Sequence, residues 1–248
     1  MAHWDRAIVV GASSGIGKAI ALQLGAGGTR VVLVARRQDM LETVASELNR
    51  TPETEIAEVV VCDVRDTAAC RRSFKEIVAE GPVDLIVYSS GIMPKGSRNG
   101  FPTEEDVTAV ETNLTGAIVW LNAAAEYFLS RDSGTIVGIG SIAGDRGRSG
   151  NPVYNATKAA LATYLESLRY RLTRQGVTVV TVKPGWIRTP MLGERRALLP
   201  AANVDTAARQ IIEAAKRGRR VAYIPPWWEA ISVIFQLTPA WVMERLPV

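Results

Sequence analysis

Residues 7–28 read AIVVGASSGIGKAIALQLGAGG, and the order of residue types in this stretch decides the fold. Ala7 to Val10 form a short apolar run with the composition of a buried strand. Gly11-Ala12-Ser13-Ser14-Gly15-Ile16-Gly17 end that run, and Ile20, Leu22 and Leu24 follow among alanines as a helical pattern closing at Gly25 to Gly28. Strand, glycine-rich turn and helix in this order put backbone N–H groups and a helix N-terminus where they can hold a pyrophosphate. One glycine permits the tight turn, one lets the backbone approach phosphate, and one lets helix and strand pack closely. The spacing is G-x-x-x-G-x-G, not G-x-G-x-x-G. Taken alone, the motif is also compatible with a glycine-rich surface turn.

The next segments extend the pattern. Arg30 to Ala35 (RVVLVA) reads as a second buried strand, followed at once by Arg36-Arg37. A dinucleotide site selecting NAD usually places an acid near the end of this strand, to bond the ribose 2′-hydroxyl. Here no acid occurs before Asp39, and two arginines stand where they can pair a 2′-phosphate, which favours NADP(H) over NAD(H). A helix over 39–49 ended by Thr51-Pro52, a strand over 56–62, a helix over 67–80 and a strand over 83–88 follow. Asp63 and Val64 close the third strand, beside where an adenine would lie, although a lone Asp after a strand is commonly a cap or turn residue. Ser89-Ser90-Gly91 close the fourth strand with side chains small enough to leave room for a flat ring. The alternation βαβαβαβ predicts a doubly wound α/β fold: a parallel sheet, helices on both faces, and ligands outside the C-terminal strand ends. The absence of any repeat or linker predicts one domain over 1–248, with 186–204 as a substrate cover and 225–248 as an apolar tail.

The second informative stretch is Thr135 to Lys158, TIVGIGSIAGDRGRSGNPVYNATK. Thr135, Ile136, Val137 and Ile139 form a strand that delivers Ser141 at its C-terminal end. Pro152 suits a first helical turn, and a helix beginning there puts Tyr154 and Lys158 four residues apart on one face. Hydroxyl, phenol and ammonium can thus converge on one crevice. Asn113 falls inside a long helix expected over 104–130, where Asn is a mediocre helix former and is usually solvated or caps a kink. Asp145, Arg146 and Arg148 either line a substrate entrance or solvate a loop.

Composition excludes several classes. Net charge is +4, from 29 basic and 25 acidic residues, without a long basic stripe, and aromatic content is 6%, so nucleic acid is not expected as a partner. Two cysteines and one histidine provide neither a disulfide framework, nor metal spacing, nor a His-based triad. No apolar run has the length of a signal peptide or of a membrane span, which makes the cytoplasm the default location.

With these pieces placed, the chain resembles the short-chain dehydrogenase/reductase family over nearly all its length. The resemblance rests on Val10 to Gly17, Asp63-Val64, Asn113, Ser141, Tyr154-Asn155-Ala156-Thr157-Lys158, and Pro184-Gly185 through Ile187 and Thr189. It implies a seven-stranded Rossmann-like parallel sheet in the order 3-2-1-4-5-6-7, a nicotinamide cofactor, and a homodimer or homotetramer. It also implies a catalytic set of Asn113, Ser141, Tyr154 and Lys158, with Asn113 holding a water in a proton relay and Thr189 contacting the nicotinamide amide. Departures are Val10 for the usual Thr, Tyr88-Ser89-Ser90-Gly91 for Asn-Asn-Ala-Gly, and Gly138 and Gly140 for the Asn and first Ser before the catalytic Ser. They bear on cofactor support more than on chemistry. Hydride reduction of a carbonyl leaves an alkoxide that needs a proton, and a Tyr beside a Lys ammonium can donate it. The expected activity is an NADP(H)-dependent interconversion of carbonyl and alcohol. The alternative is a non-catalytic nucleotide-sensing or scaffold protein on the same fold, which the complete Ser-Tyr-Lys set argues against. A sugar-nucleotide epimerase or dehydratase shares the Tyr-x-x-x-Lys spacing, but the glycine spacing and short C-terminal portion disfavour it. Met93, Pro94, Trp186, Met191 and Leu192 suggest an apolar substrate. In the tail, Glu229, Ser232 and Gln236 form a polar stripe among Trp227, Trp228, Ile231, Ile234 and Phe235. This helix is read as a pocket flap or subunit interface, or as a peripheral membrane contact helped by the basic run from Lys216 to Arg220.

Overall fold

The computed structural model describes residues 3–49, 56–94, 100–193 and 199–245. Thr51-Pro52, part of the 92–103 loop, residues 194–198 of the expected cover, and the last three residues of the tail lie outside the described residues. Seven parallel strands form one sheet in the order β3-β2-β1-β4-β5-β6-β7, as the resemblance implied. They are β1 (Arg6–Val10), β2 (Arg30–Ala35), β3 (Ala57–Val61), β4 (Leu85–Tyr88), β5 (Gly134–Ile139), β6 (Val177–Pro184) and β7 (Val221–Ile224). The strand order reverses between β1 and β4, and their C-terminal ends open a crevice there.

Alternation along each strand divides the core into two layers. Ala7, Val9 and Leu33 face α1 (Gly15–Ala26), α2 (Gln38–Leu48) and α7 (Val204–Lys216). Ile8, Val10, Val32 and Val34 face α3 (Thr67–Glu80), α5 (Gly116–Leu129) and α6 (Pro152–Leu172). Strands buried on both faces explain why RVVLVA is a continuous apolar run and not an alternating one. Trp120, Tyr88 and Phe128 are fully buried in the second layer, and truncating such an aromatic costs about 3–5 kcal/mol. Local signals set the helix starts. The Asp66 carboxylate caps α3 by accepting from the Ala68 and Ala69 amides, and Pro152 occupies the first turn of α6.

The helix expected over 104–130 is not continuous. It divides into α4 (Thr103–Val110), a π-helical turn (Glu111–Thr115) and α5. Asn113 lies inside the π turn and is fully buried, not solvated. The extra residue of a π turn shifts the helix face, and here it swings a polar amide from the solvent side toward the strand ends. The tail forms α8 (Trp228–Leu237) and α9 (Ala240–Met243). Of its polar stripe only Ser232 turns inward, 2% exposed like Trp228, while Glu229 and Gln236 are exposed together with Ile234 and Leu237. The buried Asp145 carboxylate explains this, pairing with Lys183 and accepting from the Ser232 hydroxyl, to which Gln236 Nε2 donates at 2.9 Å. Asp145 therefore anchors α8 to the loop after β5.

That loop is pressed against α6. A Cβ on Gly144 would lie 2.6 Å from the Lys158 carbonyl carbon and 2.7 Å from the Ala159 nitrogen, both backbone atoms. Gly144→Ala is expected to lower stability by about 1–3 kcal/mol, seen as a reduced urea midpoint with unchanged slope. An unchanged midpoint would show that the contact has room to relax.

Candidate active site

A cavity of about 610 Å³ opens at the C-terminal ends of β1, β2, β4, β5 and β6. This volume falls within the ~300–1,000 Å³ of small-molecule sites. Its lining contains most of the residues singled out from the sequence: Gly11, Ser13, Ser14, Gly15 and Ile16; Arg36 and Arg37; Val64; Ser89, Ser90 and Gly91; Ser141, Tyr154 and Lys158; and Pro184, Gly185, Ile187 and Thr189. Gly17, Asp63 and Asn113 stand behind the wall.

At one end of the cavity the α1 N-terminus is open. Ser14 is its N-cap residue but makes no side-chain cap bond, and the first turn carries no acid. Its leading N–H groups are therefore not satisfied by a cap, and the positive end of the helix is not neutralised, which suits an anionic ligand. Gly17 allows this geometry: a Cβ there would lie 2.2 Å from the Gly11 carbonyl oxygen. Arg37 Nη2 donates to the Ser13 and Ser14 hydroxyls at 2.8 and 3.0 Å, which suspends a guanidinium beside the glycine loop. Arg36 lies 3.7 Å from Asp63. The Asp63 carboxylate is chelated by Arg65; burial opposes ionisation, but Arg65 and Arg36 hold the group below its usual range. The residues present fit a dinucleotide: a phosphate cradle, two cations at the end of β2, and a slot beside Ser89-Ser90-Gly91.

At the other end, β5 and α6 bring Ser141, Tyr154 and Lys158 to one wall. The Ser141 oxygen accepts from the Ala143 amide at 3.0 Å, which fixes the side chain and leaves the hydroxyl proton to donate to a ligand oxygen. Lys158 Nζ lies 5.7 Å from the Tyr154 ring centroid and donates to the Ile139 carbonyl at 2.9 Å. Lys158 is only 4% exposed, and this desolvation lowers its pKa to about 8. Asn113 acts as a clasp. Its Oδ1 accepts from the Ile92 amide at 2.8 Å, while Nδ2 donates to the Ile92 carbonyl at 2.9 Å and to Thr157 Oγ1 at 3.1 Å. Thr157 Oγ1 in turn donates to the Tyr154 carbonyl at 2.8 Å, so one amide joins the π turn, the segment after β4 and the catalytic turn of α6. Around Gly91, a Cβ would lie 3.3 Å from Asn113 Oδ1 and 3.4 Å from Lys158 Nζ, so the two side chains flank this glycine.

Some lining residues were not singled out from the sequence. Asn151 lies in the wall, and Arg148, which sequence reading left unplaced, is part of it. The only signal for Arg148 was its position between two residues of the catalytic set. The buried Lys158 has a stability consequence with a definite sign. Its pKa is about 8 when folded against an ordinary value of 10.5, so folding opposes protonation, and the penalty is complete below pH 8 and fades as pH rises to 10.5. Lys158→Met is expected to raise stability at pH 7. The gain is up to ~3 kcal/mol, less ~1 kcal/mol for the Ile139 carbonyl left without its donor. It should shrink between pH 8 and 10.5, and a melting temperature lowered at pH 7 would contradict the assignment.

Comparison with known proteins agrees with this geometry. A family model for short chain dehydrogenases matches residues 5–199. A Staphylococcus epidermidis protein described as an uncharacterized oxidoreductase is 36% identical over 207 residues, covering 81% of this chain and 87% of its own. A Mycobacterium tuberculosis protein of the same description is 31% identical over 241 residues, covering 95% and 94%. Among solved structures, a short-chain dehydrogenase from Sphingobium yanoikuyae in complex with NADPH superposes with a TM-score of 0.81 at 26% identity, over 97% of this chain and 96% of that one. The chain belongs to the short-chain dehydrogenase/reductase family and is an oxidoreductase of that family.

Proposed function

We propose that the protein is an NADP(H)-dependent carbonyl reductase or alcohol dehydrogenase acting on a small, largely apolar substrate. The observation that carries this reading is the convergence of the Ser141 hydroxyl, Tyr154 and the desolvated Lys158 on one wall of a cavity whose other end is a phosphate cradle. A bound nicotinamide supplies or receives the hydride. Ser141 donates its hydroxyl proton to the carbonyl oxygen and stabilises the charge that develops there. Tyr154 transfers its phenolic proton to the same oxygen in reduction, and as phenolate takes it back in oxidation. Lys158 favours the phenolate through its charge when protonated, and its burial strengthens that effect by removing water. Asn113 enters by resemblance as the holder of a relay water. Both its amide hydrogens are committed to Ile92 and Thr157, so such a water is held by a carbonyl oxygen of the residue.

NADP(H) is favoured because Arg36 and Arg37 stand at the end of β2 in the wall of the cavity, and because the Sphingobium yanoikuyae neighbour binds NADPH. Met93, Trp186, Met191 and Leu192 supply the apolar substrate wall, with the 186–204 segment as its cover. A reducing cytoplasm suits Cys62 and Cys70, which are free thiols with sulfurs 3.7 Å apart. For the outward face of α8 we infer self-association and not membrane contact. Its exposed Trp227, Val233, Ile234 and Leu237 come with Glu229 and no basic residue on the helix, whereas a membrane-surface helix carries Lys and Arg on its polar face.

Tyr154→Phe is expected to lower NADPH-dependent carbonyl reduction by at least ~10²-fold while leaving NADPH affinity within about two-fold. Unchanged turnover would sink the mechanism. Arg37→Ala should weaken NADPH roughly ten-fold or more while hardly affecting NADH, and a parent protein binding NADH more tightly would overturn the cofactor choice. Sedimentation should show an oligomer that Ile234→Glu dissociates; a monomeric parent that co-sediments with anionic vesicles would reverse the assignment of α8.

A further inference from the structure

Arg148 sits in the loop between Ser141 and Tyr154 and shares the cavity wall with both. The same lining includes the apolar side chains of Ile142, Trp186, Met191 and Leu192. The guanidinium is held in place without being neutralised. Nη2 donates to the Ile142 carbonyl at 3.1 Å, and the group lies 5.1 Å from the centroid of the Phe235 ring of α8. Nε is buried and has no hydrogen-bond partner among the described residues. The adjacent carboxylate, Asp145, is committed to Lys183 and Ser232, and makes no ion pair with Arg148. Burial lowers the Arg148 pKa, against the opposing influence of Asp145 and Tyr154, so the cation is held where desolvation disfavours it. A guanidinium carries five donors in a planar fork, and among the described residues Nη2 has the Ile142 carbonyl while Nε has no acceptor. A partly buried cation with no carboxylate partner among the described residues is stabilised when an anion arrives with the ligand.

We propose that Arg148 is a specificity-determining residue that pairs with a carboxylate carried by the substrate, which makes the substrate class an oxo acid: an apolar body bearing a ketone or aldehyde together with a carboxylate. This rests on the carbonyl-reductase reading of the same cavity. The carboxylate would face the free edge of the guanidinium while the carbonyl oxygen meets Ser141 and Tyr154. The planar two-oxygen anion matches the fork. A phosphate is less suited to a wall that offers one guanidinium among apolar side chains. Stacking on Phe235 sets the plane of the fork, so α8 contributes to substrate choice without reaching the reacting atoms.

The test is a binding comparison that does not depend on turnover. The full chain, saturated with NADP⁺ to fill the phosphate cradle and also without it, is titrated calorimetrically with benzoate against benzamide and with hexanoate against hexanamide. Each acid is expected to bind roughly ten- to hundred-fold tighter than its amide. Arg148→Met should abolish that difference, and Arg148→Lys, a point charge without the fork, should restore part of it. Melting curves of the variants establish folding; if Arg148→Met fails to fold, the parent comparison and the Lys variant still decide. Equal affinity for acid and amide in the parent protein, or a preference for acids that survives Arg148→Met, would overturn the proposal. A kinetic arm compares 4-carboxybenzaldehyde with methyl 4-formylbenzoate under NADPH, where the acid should show the lower KM and the advantage should vanish in Arg148→Met. Loss of all carbonyl reduction with the acid preference intact would refute the reductase reading and leave the anion site standing.

Discussion

The feature on which the site depends is a lysine ammonium taken almost wholly out of water. Lys158 reaches the end of β5, where its one direct hydrogen-bond partner among the described residues is the Ile139 carbonyl. Desolvation alone accounts for the fall of its pKa to about 8. Isolated in this way, the group would favour losing its proton, and a neighbour that can become anionic is the natural remedy. The Tyr154 phenol is that neighbour, one helical turn away. The unfavourable burial of Lys158 and the reactivity assigned to Tyr154 are therefore two descriptions of one electrostatic arrangement. On the proposed function, stability is given up where the chemistry needs it.

Such an arrangement works only if the surrounding backbone cannot relax. Three contacts hold it. Gly144 lets the turn after β5 lie directly on the α6 backbone at Lys158. Asn113 clasps the Ile92 peptide and reaches Thr157, which in turn bonds the Tyr154 carbonyl. The Ala143 amide fixes the Ser141 oxygen. The first two contacts join elements apart in sequence and the third is local to the turn after β5, so the positions of Ser141, Tyr154 and Lys158 are determined by several parts of the fold at once.

This explains what the sequence made legible and what it did not. Strand order, the glycine cradle and the spacing from Tyr154 to Lys158 follow from local composition and helical geometry, which neighbouring residues carry. The π turn was hidden because Asn113 looks like an indifferent helical residue until Ile92 and Thr157 are placed beside it. Asp145 looked like a loop charge because its partners are Lys183 and Ser232, far along the chain. For the same reason the tail read as an ordinary amphipathic helix: its hydrophobic pattern is real, but a buried ion pair draws Ser232 inward and leaves Ile234 and Leu237 exposed. Periodicity reveals that a helix has two faces, and only the partner reveals which face is buried.

The two kinds of residue also separate by their supports. Ser141 and the segments around Ser89 and Pro184 lie at the ends of central strands whose neighbours are paired on both sides, while Tyr154 and Lys158 ride on a helix packed against the sheet. Arg148, Trp186 and Met191 lie in connections. Arg148 and Trp186 contact α8, Arg148 through Phe235 and Trp186 through Trp228, which lies so close over Gly185 that a Cβ there would be 2.0 Å from the indole. A change in the tail can therefore alter the Arg148 and Trp186 side of the cavity without moving Ser141, Tyr154 or Lys158. The separation has a physical basis. Strand ends are fixed by a hydrogen-bonded ladder that tolerates little displacement, whereas a terminal helix anchored by one buried carboxylate can be repacked at the cost of a few contacts.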